Sequence, residues 1–145
     1  DTGEDGSRTL PVVTAGVVTQ AVAKRVAIVG LPYEANYQTT KLAFAAAMGT
    51  ALTQMKRVDQ IGLILHQTHN KGLYYGSDTG HLDPLPRAHE GAAIDVAHIY
   101  PSYDVAPFAF PGEYSEDARI WLKAKAPRPV TILAAVPGIS TNDRG

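Results

Sequence analysis

Five histidines, His66, His69, His81, His89 and His98, are the residues of this sequence best suited to hold a metal ion or move a proton near neutral pH. A metal site needs three or four such ligands to converge. His66 and His69 are three apart, and on an extended strand that spacing puts them on opposite faces, so only a turn at Thr68 would aim both at one ion. The tighter grouping is His81-Leu82-Asp83, to which a loop would add His89 or Glu90. A small metal-dependent hydrolase using His81, Asp83 and His89 is the sharpest enzymatic reading. It competes with a plainer one, a solvated polar surface loop.

Other catalytic patterns fail on their own requirements. Asp78-Thr79-Gly80 spells the triplet of aspartic proteases, and Asp1-Thr2-Gly3 spells it again, but that chemistry needs two carboxylates sharing a proton in an apolar setting, and no apolar strand follows either copy. Asp and Gly are turn formers, so a turn is the expectation at Asp78. None of Ser7, Ser77, Ser102, Ser115 or Ser140 lies in a Gly-x-Ser-x-Gly elbow. Gly76 to Gly80 lacks the Lys-Ser or Lys-Thr of a phosphate loop. Seven tyrosines, Tyr33, Tyr37, Tyr74, Tyr75, Tyr100, Tyr103 and Tyr114, offer flat apolar bodies with polar tips, as a glycan-binding or adhesion module requires. Half-buried strand tyrosines are the alternative. Lys56-Arg57, Lys123 with Lys125, and Arg128 form small basic clusters, expected to lie on solvated strand faces.

Composition narrows the choice further. The chain has 145 residues, enough for one domain with a real core. Thirteen Lys and Arg against fourteen Asp and Glu leave a net charge of −1, which supplies no general field for gripping nucleic acid phosphates. There is no cysteine, which removes disulfides, thiolate metal ligands and thiol catalysis together. The longest apolar runs, Ala43 to Met48 and Ile61 to Leu65, fall far short of the ~20 residues that a spanning helix requires. The polar start, Asp1 to Ser7, has no signal-peptide core and no initiator Met, so the chain is expected to begin after processing or, preferably, in the middle of a longer polypeptide.

The elements that must position these residues read as strands. Residues 1–9 form a loose lead-in, and 10–145 a single β-rich domain. Val12 to Thr19 and Lys24 to Val29 are two strands rich in β-branched residues, and Gly30-Leu31-Pro32-Tyr33 is a kink. Glu34 to Leu42 resumes the extended path, with Tyr33, Ala35, Tyr37 and Thr39 on one face. Phe44 to Gln54 is a short helix or an ordered loop. Val58 to Thr68 is the clearest strand, with both faces largely buried, and Gly72 to Gly76 is a short aromatic one. Ser77 to Gly91 is a long Pro- and Gly-rich loop, and Pro101 to Gly112 is again Pro-punctuated, with Phe108 and Phe110 on one face. Ala118 to Lys125 and Val130 to Val136, joined by Ala126-Pro127-Arg128-Pro129, are expected to pair as an antiparallel hairpin with Ile120, Leu122 and Ala124 inward. The fold class that follows is mainly β: an antiparallel β-sandwich or barrel-like domain with at most one short helix.

Val29-Gly30-Leu31-Pro32-Tyr33-Glu34-Ala35 resembles a segment of the tail nozzle (tubular tail protein B) family of short-tailed bacteriophages, which overlaps the packaged-DNA stabilisation proteins. The resemblance continues through the apolar strand Val58 to Thr68, then Pro111-Gly112-Glu113-Tyr114-Ser115-Glu116-Asp117-Ala118-Arg119-Ile120, and finally Ala126 to Ala135, spanning roughly residues 24 to 136. It implies the C-terminal part of a longer virion protein that carries a β-propeller-like region. It implies also a homo-oligomeric ring, six-fold, meeting other neck and tail proteins and forming the channel through which DNA is held and ejected. No catalytic, metal or cofactor residues come with it. The loop at 77–91 and the stretch near Phe44 have no counterpart in the family. The sequence thus reads as a non-catalytic structural domain of a phage tail.

Overall fold

A computed structural model of the protein describes residues 11–19, 29–31, 33–43, 53–86, 88–89, 92–95, 98–104 and 107–141. Its strands, in chain order, are β1 (Val13–Thr14), β2 (Val17–Val18), β3 (Glu34–Gln38), β4 (Lys56–His69), β5 (Leu73–Gly76), β6 (Leu82–Pro84), β7 (Ala88–His89), β8 (Ala92–Ala93), β9 (Ile99–Tyr103), β10 (Phe108–Ala109), β11 (Trp121–Lys125) and β12 (Ile132–Thr141). There is no helix among the described residues. The lead-in at 1–9, the strand expected at Lys24 to Ile28 and most of the helix or loop expected at Phe44 to Gln54 lie outside them.

Two four-stranded antiparallel sheets make the body. In the first, β4 is paired along one edge with β12, and along the other with β10 at Gln60–Ile61 and β9 at Leu65–His69. In the second the order is β3-β11-β5-β6. Strand β4 is long because its apolar residues keep period two, and Ile61, Leu63 and Leu65 are almost fully buried. Two irregularities adjust that period. Pairing with β12 passes from Gly138↔Gln60 to Ile139↔Val58, leaving Asp59 as an extra residue, so Val58 and Ile61 are both buried although three apart. At Gln67 the backbone turns to a positive φ of 45°, so His66 and Gln67 both face outward while Thr68 and His69 turn in. The second face of β4 is only partly covered, with Gln60 exposed and Gly62 and Ile64 half-buried, so the expectation of two buried faces holds for one.

The core is built from the facing sides of both sheets. Leu73 and Tyr75 of β5, Leu122 of β11 and the adjoining Ile120 meet Val58, Ile61, Leu63 and Leu65 of β4 with Tyr100, Tyr103 and Phe110. Tyr75 joins the sheets directly. Its ring lies 4.9 Å from that of Phe108 and 6.0 Å from that of Phe110, and its hydroxyl donates to the Ala109 carbonyl at 3.4 Å. An antiparallel sandwich-like domain is therefore what the sequence folds into.

Several local expectations are corrected. Strands β11 and β12 do not form a hairpin: β11 is occupied on both edges by β3 and β5, and β12 pairs with β4 in the other sheet. Pro127 and Pro129 have no N–H to give a hairpin ladder, and the segment between the strands carries the chain from one sheet to the other. Val12 to Thr19 is not one strand but a two-residue hairpin, turning at Ala15 and Gly16, both at positive φ (51° and 79°). Strand β3 stops at Gln38 because Thr39 leaves the ladder in a different manner. Its N–H donates to the Ile120 carbonyl, while its hydroxyl, in place of a carbonyl, accepts from the Ile120 N–H at 3.0 Å. The passage Ser77 to Gly91 is not a continuous loop, since β6 returns from it to pair with β5. Gly76 permits that return: a Cβ there would collide with the His81 carbonyl oxygen.

Because Leu63 is 1 % exposed at the centre of this core, Leu63→Ala should lower stability by about 2–5 kcal/mol, measured by chemical denaturation.

Candidate functional site

The histidines do not converge. His66 is exposed on β4, while His69, two residues past the Gln67 irregularity's start, is buried at 5 % exposure and its Nδ1 accepts the Lys71 N–H at 3.1 Å. His81 is engaged by Asp78, not Asp83, and the side chain of His89 and all of Glu90 lie outside the described residues. Among the described residues no group of three or more His, Asp or Glu is placed to hold a metal ion.

Asp78-Thr79-Gly80 is the tip of the β5–β6 hairpin. Asp78 Oδ1 accepts the N–H groups of Gly80 (2.6 Å) and His81 (3.0 Å), and Oδ2 lies 2.8 Å from His81 Nδ1. This is the local turn that Asp and Gly favour. The hydrogen bond from His81 and those from the backbone hold the Asp78 carboxyl below its ordinary range, and the same carboxylate raises His81 above its own. Both side chains are solvent-exposed, so the pair is a turn lock and not a shielded acid–base dyad. Its contribution is present while His81 is protonated and Asp78 ionised, and fades as pH rises through the raised His81 pKa.

The tyrosines divide between roles. Tyr75, Tyr100 and Tyr103 are in the core, and Tyr74 lies under the Lys125 ammonium, 4.4 Å from the ring centroid. Only Tyr33, Tyr37 and Tyr114 are exposed, and no seven-tyrosine face exists. The basic clusters are tied down more than expected. Lys123 pairs with Glu34 across β11 and β3 at 2.7 Å. Arg57 lies over Tyr114 at 5.1 Å. Lys56, expected on a solvated face, is completely buried. Its Nζ donates to the carbonyls of Glu116 (2.7 Å) and Gln54 (3.3 Å), and its backbone exchanges hydrogen bonds with Ser115. Burial, then Lys41, lowers its pKa, and Glu116 and Asp117 oppose the shift. The sequence carried no signal for this, because the nearer receiving carbonyl, that of Glu116, comes from a segment sixty residues away.

The most distinctive surface is an edge. Strand β3 ends its sheet among the described strands, all five of its residues are exposed, and it has neither proline nor bulge to blunt it. Leu31 is 83 % and Val29 77 % exposed, with Tyr33 and Tyr37 near 60 %. In the other sheet β12 also presents an outer edge, with Leu133 and Val136 exposed. Leu133 is the extra residue where pairing passes from Ile132↔Leu65 to Ala134↔Ile64. Sequence reasoning placed Tyr33 and Tyr37 on one face without finding that the face is open.

No protein-family model matches the chain, and no curated protein matches it. The resemblance to the nozzle proteins rests on the quoted segments alone.

Two outcomes follow from this geometry. Asp78→Asn should bring the His81 titration, followed by NMR, down toward 6.5, and an unchanged midpoint would contradict the pairing. Lys56→Met leaves the Glu116 carbonyl without its donor and should cost about 1–3 kcal/mol of stability, read from denaturant midpoints.

Proposed function

We propose that this chain is a structural subunit of a short-tailed phage tail nozzle, assembling with copies of itself as a ring around the channel through which DNA is retained and ejected. The observation that carries the reading is that β3 is an outer strand among the described strands, with Val29, Leu31, Tyr33 and Tyr37 exposed along it. An outer strand flanked by large exposed apolar side chains is a surface that another chain covers, by strand addition or by packing. The first of the segments that carry the resemblance to the nozzle family includes Val29, Leu31 and Tyr33, which are exposed, while the later Val58 to Thr68 segment is core. A near-neutral chain also suits a conduit, since it does not grip passing phosphates. On this reading the partners are further copies and neighbouring neck and tail proteins, and the place of action is the virion.

Native mass spectrometry and light scattering over a wide concentration range test the proposal. A closed assembly of narrow stoichiometry is expected, weakened by Tyr37→Glu on the outer strand. A folded chain that stays strictly monomeric at high concentration would overturn it. Binding on a glycan array, combined with a monomeric state, would move the assignment to an adhesion module.

A further inference from the structure

At one end of the sandwich several connections meet on the turn between β4 and β5. His69 N–H donates to the Pro129 carbonyl (2.9 Å), Gly72 N–H to the His69 carbonyl (2.8 Å), and Arg128 Nη1 to the Lys71 carbonyl (3.2 Å). Thr131 N–H donates to Thr68 Oγ1 at 3.0 Å. These bonds fasten the β11–β12 crossover to the turn. From the other side, Asn70 N–H donates to the His98 carbonyl (3.1 Å) and Asn70 Nδ2 to the Asp95 carbonyl (3.0 Å), which fastens the segment ahead of β9.

His69 sits in the middle of this junction. Its Nδ1 accepts the Lys71 N–H, so that nitrogen carries no proton, and the ring is neutral when the turn is closed. A protonated ring would set one N–H against another. The charges that bear on it come from each surrounding element: Arg128 on the crossover, Lys71 in the turn, and His98 ahead of β9 when that ring is protonated. Asp95, the acidic residue at the junction, gives its carbonyl to Asn70 and to the His98 N–H.

We propose that His69 is an acid-operated latch: neutral, it closes the β4–β5 turn and holds the crossover between the two sheets against it, and protonated, it releases both. Burial first, then Arg128, Lys71 and His98, keep its pKa below the ordinary 6.5, so the latch is shut at neutral pH. A group that is harder to protonate folded than unfolded contributes stability above about pH 6.5, and that contribution is lost as pH falls toward the folded pKa. The release is local, because the β4–β12 ladder from Lys56 to Leu65 does not depend on the imidazole.

Amide hydrogen exchange and NMR titration of the whole chain test this, comparing the protein with His69→Asn, which keeps an acceptor near the position of Nδ1 but takes no proton. Protection of the Lys71 and Gly72 amides is expected to fall by up to about tenfold per pH unit between 6.5 and the midpoint of the His69 ring titration in the parent protein, and to level off below that midpoint. In His69→Asn it should be flat, and the Leu63 amide should be flat in both. An equal fall in the variant, or a titrating His69 with unchanged Lys71 protection, would overturn the latch. Should His69→Asn not fold, His98→Gln serves instead. Loss of that charge should move the His69 midpoint and the Lys71 response upward together, and no movement of either refutes the proposal.

Discussion

A strand hydrogen-bonded on both edges leaves little backbone polarity to satisfy elsewhere, and β4 is held in this way at Gln60–Ile61 and at Leu65. Strand β12 runs along one side, while β10 and β9 take successive stretches of the other. Its inward side chains, Val58, Ile61, Leu63 and Leu65, are the floor on which Leu73, Tyr75 and Leu122 of the second sheet pack. Where the partners change, the strand changes too: the extra residue at Asp59 lies where β12 shifts register, and the Gln67 kink lies within the span that β9 covers. The polar junction around His69 begins where β4 ends, so its placement also derives from this strand.

The second sheet is built on the opposite balance. Its inner strands β11 and β5 are paired on both edges, and its first strand, β3, is paired on one edge among the described strands. Apolar side chains beside β3 stay in contact with solvent, at a cost of roughly 25 cal/mol for each Å² that burial would remove from water.

The parts legible in the sequence were those governed by neighbours along the chain. The alternation of Ile61, Leu63 and Leu65 announced β4, the Asp78-Thr79-Gly80 triplet announced a turn, and the spacing of His66 and His69 put them on opposite faces. What stayed hidden depended on distant backbone. Lys56 is buried where the Glu116 carbonyl, sixty residues on, receives its ammonium beside the Gln54 carbonyl, and no local pattern encodes that distant acceptor. The exchange of partners that sends β11 and β12 into different sheets is decided by β3, β4 and β5, while the intervening prolines looked like an ordinary hairpin turn. The adjacent Tyr74 and Tyr75 had to face opposite ways, yet which one enters the core follows only from the pairing with β11.

The long reach of the β4–β12 ladder also sets an order of events during synthesis. Thr68 and Thr131, which hydrogen-bond at its end, are 63 residues apart, so β4 leaves the ribosome well before its principal partner exists. In that interval β9 and β10 are the strands available to it, and the edge destined for β12 is bare. Pairings so distant in the chain close slowly, and a bare apolar strand is the species from which misassembly starts. The nascent chain therefore passes through its most vulnerable state just before β12 arrives, and the same strand that organises the finished domain is the one needing protection while it is made.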